Sequence, residues 1–171
     1  MKFFLLTLLL LVGYFPAAQA ENPDHLQQLL RTKQCQRCDL SGVDFRYINL
    51  RGADLTGSDL SEANFYTADL RDALLANTNL RRVNFINANL READLNNANL
   101  QEANLEGADL RNASLLKVNL KRANLSEANL TEADLRGADL TDALLVSTTL
   151  RMARLCQAKM PTGLEFKQGC N

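Results

Sequence analysis

Ser126 to Leu140 reads SEANLTEADLRGADL, three copies of a five-residue unit in which a small residue, an Asn or Asp and a leucine follow one another before two variable residues. The register runs far beyond this stretch. Every fifth residue from Leu40 to Leu155 is Leu or Phe, twenty-four positions without a break, and the residue two before each is nearly always small, most often Ala. Helices repeat apolar residues at three and four and strands at two, so neither element accounts for a period of five. A short extended piece of Ala, Asp/Asn and Leu puts Ala and Leu on one face and the polar residue on the other. The two remaining residues must then form a corner.

Glycine marks that corner. Gly42, Gly52, Gly57, Gly107 and Gly137 all fall two residues after the leucine, as do Asn77, Asn87, Asn97 and Asn112. Gly and Asn tolerate the positive φ of a type II turn at this phase. Repeats with Glu62, Glu92, Glu102, Glu127 or Glu132 there are expected to use another turn type. Four corners close a 20-residue coil, and Phe45, Phe65 and Phe85, the phenylalanines at the leucine phase, lie 20 apart. They should stack in one column. Residues 38–157 then form about six coils of an all-β solenoid with a dry Leu/Phe core. Leu74 and Leu144 stand where Asp or Asn belongs, which predicts a local distortion at each. Asn64, Asn84, Asn104 and Asn124 align as a column of stacked amides.

Both ends of such a rod need a cover. Asn22, Pro23 and Asp24 give a helix N-terminus, and Leu26, Leu29 and Leu30 follow at helical spacing, so a short cap helix within residues 21–37 should lie on the first coil. Met160, Leu164 and Phe166, within residues 158–171, should fold over the last. Residues 1–20, with Lys2, an apolar run from Phe3 to Phe15 and Ala18-Gln19-Ala20, read as a cleaved signal peptide. The apolar run is too short to span a bilayer, which takes roughly 20 residues. No later stretch is apolar enough to span one, so the mature protein is expected in the periplasm, the thylakoid lumen or the extracellular space. Four cysteines in such a compartment allow three pairings. Cys35 and Cys38 sit at the first coil and Cys156 and Cys170 at the last, about six rungs of 4.8 Å apart, whereas bridged Cα atoms lie within about 7 Å. Cys35 with Cys38 and Cys156 with Cys170 are therefore the expected disulfides.

Runs such as ANLEGADL (Ala103 to Leu110), LRGADLTGSDL (Leu50 to Leu60) and the opening stretch resemble the pentapeptide-repeat proteins. The resemblance covers about 120 residues and implies a right-handed quadrilateral β-helix. The leader and capped ends look similar to secreted, cyanobacterial-type members. Some family members act as DNA mimics on type II topoisomerases, so that role is an alternative here.

The chain has 19 basic and 20 acidic residues, a balance that argues against bulk nucleic-acid binding. Within residues 38–157 there are 17 acidic and 13 basic residues, too even for a convincing DNA mimic. Alignment at 20 residues places Arg51, Arg71, Arg91 and Arg111 in one column, interrupted by Thr131 and resumed by Arg151. This column is either a ladder neutralised by Asp69, Asp72, Glu92 and Asp109, or a stripe that meets a protein partner, a polysaccharide or an anionic surface. Cys35-Gln36-Arg37-Cys38 is a CxxC, so a redox pair is a further alternative, as is half a metal site with His25. Both cysteines occupy inward positions, which favours a structural pair without metal or cofactor. His25 is the sole histidine, which removes Ser-His-Asp and Cys-His chemistry from the rod. The expectation is a monomeric, noncatalytic binding or scaffold protein.

Overall fold

The computed structural model describes residues 22–166 and Cys170; the expected leader at 1–20 lies outside the described residues. Helix α1 covers Pro23–Thr32. Asn22 caps it, its Oδ1 accepting from the Asp24 N–H at 3.1 Å, and left-handed Lys33 ends it by donating its N–H to the Leu29 carbonyl at 2.8 Å. Leu29 is fully buried and Leu26 packs half-buried against the same core. Leu30, assigned to the lid by its spacing, instead stands 48% exposed. A ten-residue helix lying across a narrow coil presents one stripe to it, and Leu26 and Leu29, three apart, already fill that stripe.

From Gln34 the backbone winds in coils of 20 residues. Each residue at the Asp/Asn phase pairs in parallel with the residue 20 later, from Gln34 with Asp54 to Asp139 with Lys159. The four columns are therefore built from single bridge residues separated by corners. The coiling starts four residues before Cys38 because Cys35 already fills a leucine slot and is buried. Three backbone bonds per repeat tie successive coils, for example Leu40 N–H to Asp59 O, Gly42 N–H to Ser61 O and Asp59 N–H to Cys38 O, each at 2.8 Å. The leucines and alanines of the interior are buried, and Phe45, Phe65 and Phe85 stack with ring centroids 4.8 and 5.1 Å apart.

Each corner is closed by a bond from the small residue back to the leucine carbonyl, as from Ala53 N–H to Leu50 O at 3.0 Å. The third corner residue has positive φ whatever its side chain: 65° at Gly42 and Gly52, and also 61° at Glu62, 60° at Glu92, 62° at Glu102, 61° at Glu127 and 63° at Glu132. The expectation of a second turn type for the glutamates is thus corrected. Their N–H groups are rungs of the ladder, Glu62 donating to Arg81 O at 2.9 Å and Glu102 to Lys121 O at 3.0 Å. Leaving the left-handed region would forfeit that bond, which offsets a left-handed penalty of roughly 1–2 kcal/mol.

The polar phase has a local duty as well. Its side-chain oxygen accepts from the N–H two residues on, as from Ser41 to Asp39 at 3.2 Å and from Arg111 to Asp109 at 3.2 Å, the Asx turn that starts each corner. Leu74 and Leu144 cannot accept, yet no distortion follows. Leu74 still donates to Ala53 O and Leu144 to Ala123 O, both at 2.9 Å, so the ladder carries the backbone through. Where Ser114 is too short, Asn96 from the preceding coil substitutes, its Oδ1 accepting from Leu116 N–H at 2.9 Å and from Ser114 Oγ at 2.7 Å.

At the carboxyl end the chain reverses through Pro161, Thr162 and Gly163, and Phe166 N–H returns to Ala158 O at 2.7 Å. This hairpin runs along the edge of the last coil rather than across its core. Leu164, expected in the lid, is 73% exposed, and Leu145, Leu150 and Leu155 are only partly buried. Cys35 is bonded to Cys38, with Cα atoms 5.4 Å apart, and Cys156 to Cys170, at 5.0 Å.

Candidate binding faces

The arginine column begins each corner on one flank, directly after Leu50, Leu70, Leu90 and Leu110. Arg71 reaches back to Asp69 at 2.6 Å, Arg111 to Asp109 at 2.5 Å, and Arg51 crosses one coil to Asp72 at 2.9 Å. The Arg71 guanidinium's hydrogen bond holds the Asp69 carboxyl below the usual range. Burial raises the Asp109 pKa, but hydrogen bonds from the side chain and backbone of Arg111 outweigh it and leave the carboxyl lowered. Arg91 and Arg151 have no ion pair among the described residues. The spacing brings the arginines into register, but carboxylates tie three of them down.

The difference follows a rule that lies in plain view in the sequence. Where Asp precedes the leucine and Arg follows it, as in Asp44-Phe45-Arg46, Asp69-Leu70-Arg71, Asp109-Leu110-Arg111 and Asp134-Leu135-Arg136, the pair closes within its own repeat at 2.5–2.8 Å. Asn89 precedes Leu90, so Arg91 has no such partner. A second charged column stands on another corner. Glu62, Arg82, Glu102, Arg122 and Asp142, spaced by 20, alternate in sign, and Arg82 bonds Glu102 at 2.8 Å and lies 3.6 Å from Glu62. Arg122 bonds Glu102 from the other side, and Arg82's hydrogen bond lowers the Glu102 pKa.

Carboxyls at Asp44, Asp59, Asp69, Asp109, Asp134 and Asp139 all titrate below their ordinary value in the folded rod. A lowered folded pKa stabilises the fold above the unfolded value of about 3.9 and loses that contribution as pH falls through the folded value. The melting midpoint is therefore expected to be nearly flat from pH 7 to 5 and to fall below about pH 4. Melts followed by circular dichroism check this; a midpoint that rises on acidification would contradict the sign.

The CxxC is enclosed. Cys35 and Cys38 are buried, Cys38 N–H donates to Ser58 Oγ at 3.0 Å, and Ser58 Oγ donates to Cys35 O at 2.6 Å. His25 clasps the cap to the first coil, its Nδ1 accepting from Asp39 N–H at 3.0 Å. Among the described residues no group of three His, Cys, Asp or Glu side chains gathers to hold a metal.

A family model described as the pentapeptide repeat region matches residues 30–105 and 55–125, and a second, for pentapeptide repeats in eight copies, matches residues 123–160. The chain is a pentapeptide-repeat protein. The right-handed quadrilateral β-helix of that family is its fold, with four faces and the Ala and Leu phases inside. Among solved structures it is similar to a pentapeptide repeat protein of the cyanobacterium Cyanothece 51142, with 32% identity over 77% of this chain and 92% of that one at a TM-score of 0.43. It is also similar to a pentapeptide repeat protein of the Arabidopsis thaliana thylakoid lumen, with 25% identity over 67% and 66% at 0.36. A third similar structure is QnrB1, a plasmid-mediated fluoroquinolone resistance protein, with 19% identity over 78% and 77% at 0.36. No curated protein matches the chain.

Proposed function

We propose that this pentapeptide-repeat protein is an exported, noncatalytic binding or scaffold module of the periplasm or thylakoid lumen. In this reading α1 caps about six coils, and the arginine column meets a protein partner or an anionic surface. The observation that carries the reading is the arginine column itself, with Arg91 left outside the ion pairs that occupy Arg51, Arg71 and Arg111. A guanidinium flanked by two paired ones offers a fork for a carboxylate or phosphate, at the centre of a flank whose own charges balance. Two disulfides fit an oxidising compartment. Charges that alternate along the rod weigh against the DNA-mimic alternative, which needs a continuous acidic face. A buried CxxC disulfide weighs against the redox alternative, because exchange requires an accessible sulfur.

The test is to crosslink the mature protein in its own compartment and identify retained partners by mass spectrometry. The control carries Arg71→Gln, Arg91→Gln and Arg111→Gln together. A partner retained by the native chain and lost from the control is the expected result; no partner, or one indifferent to the substitutions, removes the column as a binding site.

A further inference from the structure

The two disulfides differ in what can reach them. Cys35 and Cys38 are buried in the first coil, with Cys35 Sγ 3.2 Å from the His25 carbonyl of α1, whereas Cys156 is half-buried and Cys170 exposed at the last coil. Cys156 also stands among cations. It starts the corner directly above Arg136, because Gly137 N–H donates to Cys156 O at 2.9 Å. Arg136 and Arg154, the latter two residues before Cys156, both bond Asp134 Oδ2, at 2.8 and 2.6 Å. Lys117 lies one coil beneath Gly137, its Cγ 3.3 Å from where a β-carbon on that glycine would stand. Three cations thus share one carboxylate on this corner, and on the adjoining hairpin Glu165 is set opposite Lys159. Positive charge beside a cysteine favours its thiolate.

Little besides this bond fastens the end of the chain. The hairpin is joined to the last coil and to itself by backbone bonds from Gln157 N–H to Phe166 O, Phe166 N–H to Ala158 O and Met160 N–H to Leu164 O, at 2.7–2.9 Å. Leu164 and Glu165 are exposed and Met160 and Phe166 only half-buried, so apolar burial holds it weakly. Covalent closure across a sequence separation of 14 is its main tether. We propose that Cys156–Cys170 is a thiol–disulfide exchange site for a partner protein carrying a dithiol, and that its reduction releases the hairpin from the last coil. The partner's thiolate attacks the exposed Cys170 Sγ, the Sγ–Sγ bond breaks, and its electron pair leaves on Cys156 as a thiolate beside Arg136 and Arg154. The partner's second thiol, having lost its proton to solvent, attacks its own sulfur in the mixed disulfide and expels the Cys170 thiolate. Two electrons have then passed to this chain, and the partner is oxidised to a disulfide. A stabilised thiolate is the faster leaving group. Cys35–Cys38, closed to an incoming thiolate, remains a permanent staple.

This site shares no residue with the arginine column, so each can fail without the other. To test it, the oxidised mature chain is mixed at pH 7 with excess reduced thioredoxin as the dithiol probe, alkylated at intervals, and mapped by peptide mass spectrometry. Cys156 and Cys170 should take up label together, roughly tenfold or more faster than Cys35 and Cys38. Arg136→Gln with Arg154→Gln should slow their reduction roughly threefold or more, and Arg136→Lys with Arg154→Lys should restore it, because the charge stabilises the thiolate. Cys35–Cys38 in the same molecule controls for folding, since a general loosening would speed both disulfides. In Cys170→Ser the free Cys156 should react with iodoacetamide down to a lower pH than glutathione does, a margin that the glutamine pair removes. On reduction the Gln157 and Phe166 amides should lose protection from hydrogen exchange, while those of Cys35 and Leu40 keep theirs. Equal reduction of the two disulfides, a glutamine variant as fast as the native chain, or unchanged protection at Gln157 and Phe166 would each overturn the proposal.

Discussion

Phe65→Ala is expected to destabilise the rod by about 3–5 kcal/mol, the cost of emptying a close-packed aromatic site. The ring is completely buried between Phe45 at 4.8 Å and Phe85 at 5.1 Å, so truncation strips one face from each neighbour as well as its own contacts. The surrounding coils cannot collapse onto the gap. Their separation is fixed by backbone bonds such as Phe65 N–H to Asn84 O and Phe45 N–H to Asn64 O, both at 2.7 Å. For a chain of this size the loss corresponds to a fall in melting midpoint on the order of 10 °C. Phe65→Leu should cost much less, because Leu105 and Leu125 occupy the same column two and three coils further on. Parallel thermal and urea denaturation of the two variants provides the measurement. A Phe65→Ala loss under about 1 kcal/mol would mean that the column is not close-packed.

The interior was legible because a period of five leaves one arrangement that buries every Leu and Ala together, and because Gly42, Gly52 and Gly57 mark the corner phase. What escaped the sequence lies where the ladder overrides side-chain preference. Glu62 and Glu102 turn like glycine since their N–H groups bind the next coil, and Leu74 remains in register although it lacks the oxygen of an Asx turn. Neither outcome can be read from a single repeat, because the deciding bond is made with a residue about 20 positions away. At the candidate faces the arginine column was legible by alignment at 20, but its neutralisation depended on a shorter signal, Asp two residues before Arg. The alternating column of Glu62, Arg82 and Glu102 needed the same alignment read for opposite signs.

Leu29→Asp and Leu30→Asp, neighbours in sequence with identical chemistry, are expected to differ by several kcal/mol. Leu29 is fully buried over the first coil, where Cys35, Leu40 and Phe45 form the floor, while Leu30 faces water. An aspartate at 29 loses the apolar contacts of the leucine, about 2–5 kcal/mol, and must either bury an unpaired carboxylate or lift the helix away. Lifting α1 breaks the bond from Asp39 N–H to His25 Nδ1 and opens the first-coil core to solvent. The uncovered end then presents apolar side chains and an unpaired backbone edge, the conditions for end-to-end association. Leu29→Asp should therefore lower the urea midpoint and make sedimentation concentration-dependent, whereas Leu30→Asp should stay within about 0.5 kcal/mol of the native chain, as exposed substitutions do. Equal effects of the two would show that the helix does not sit on the coil through its Leu26 and Leu29 stripe. A large effect of Leu29→Asp without association would separate the two functions of the cap, holding the core closed and keeping the edge from a second molecule.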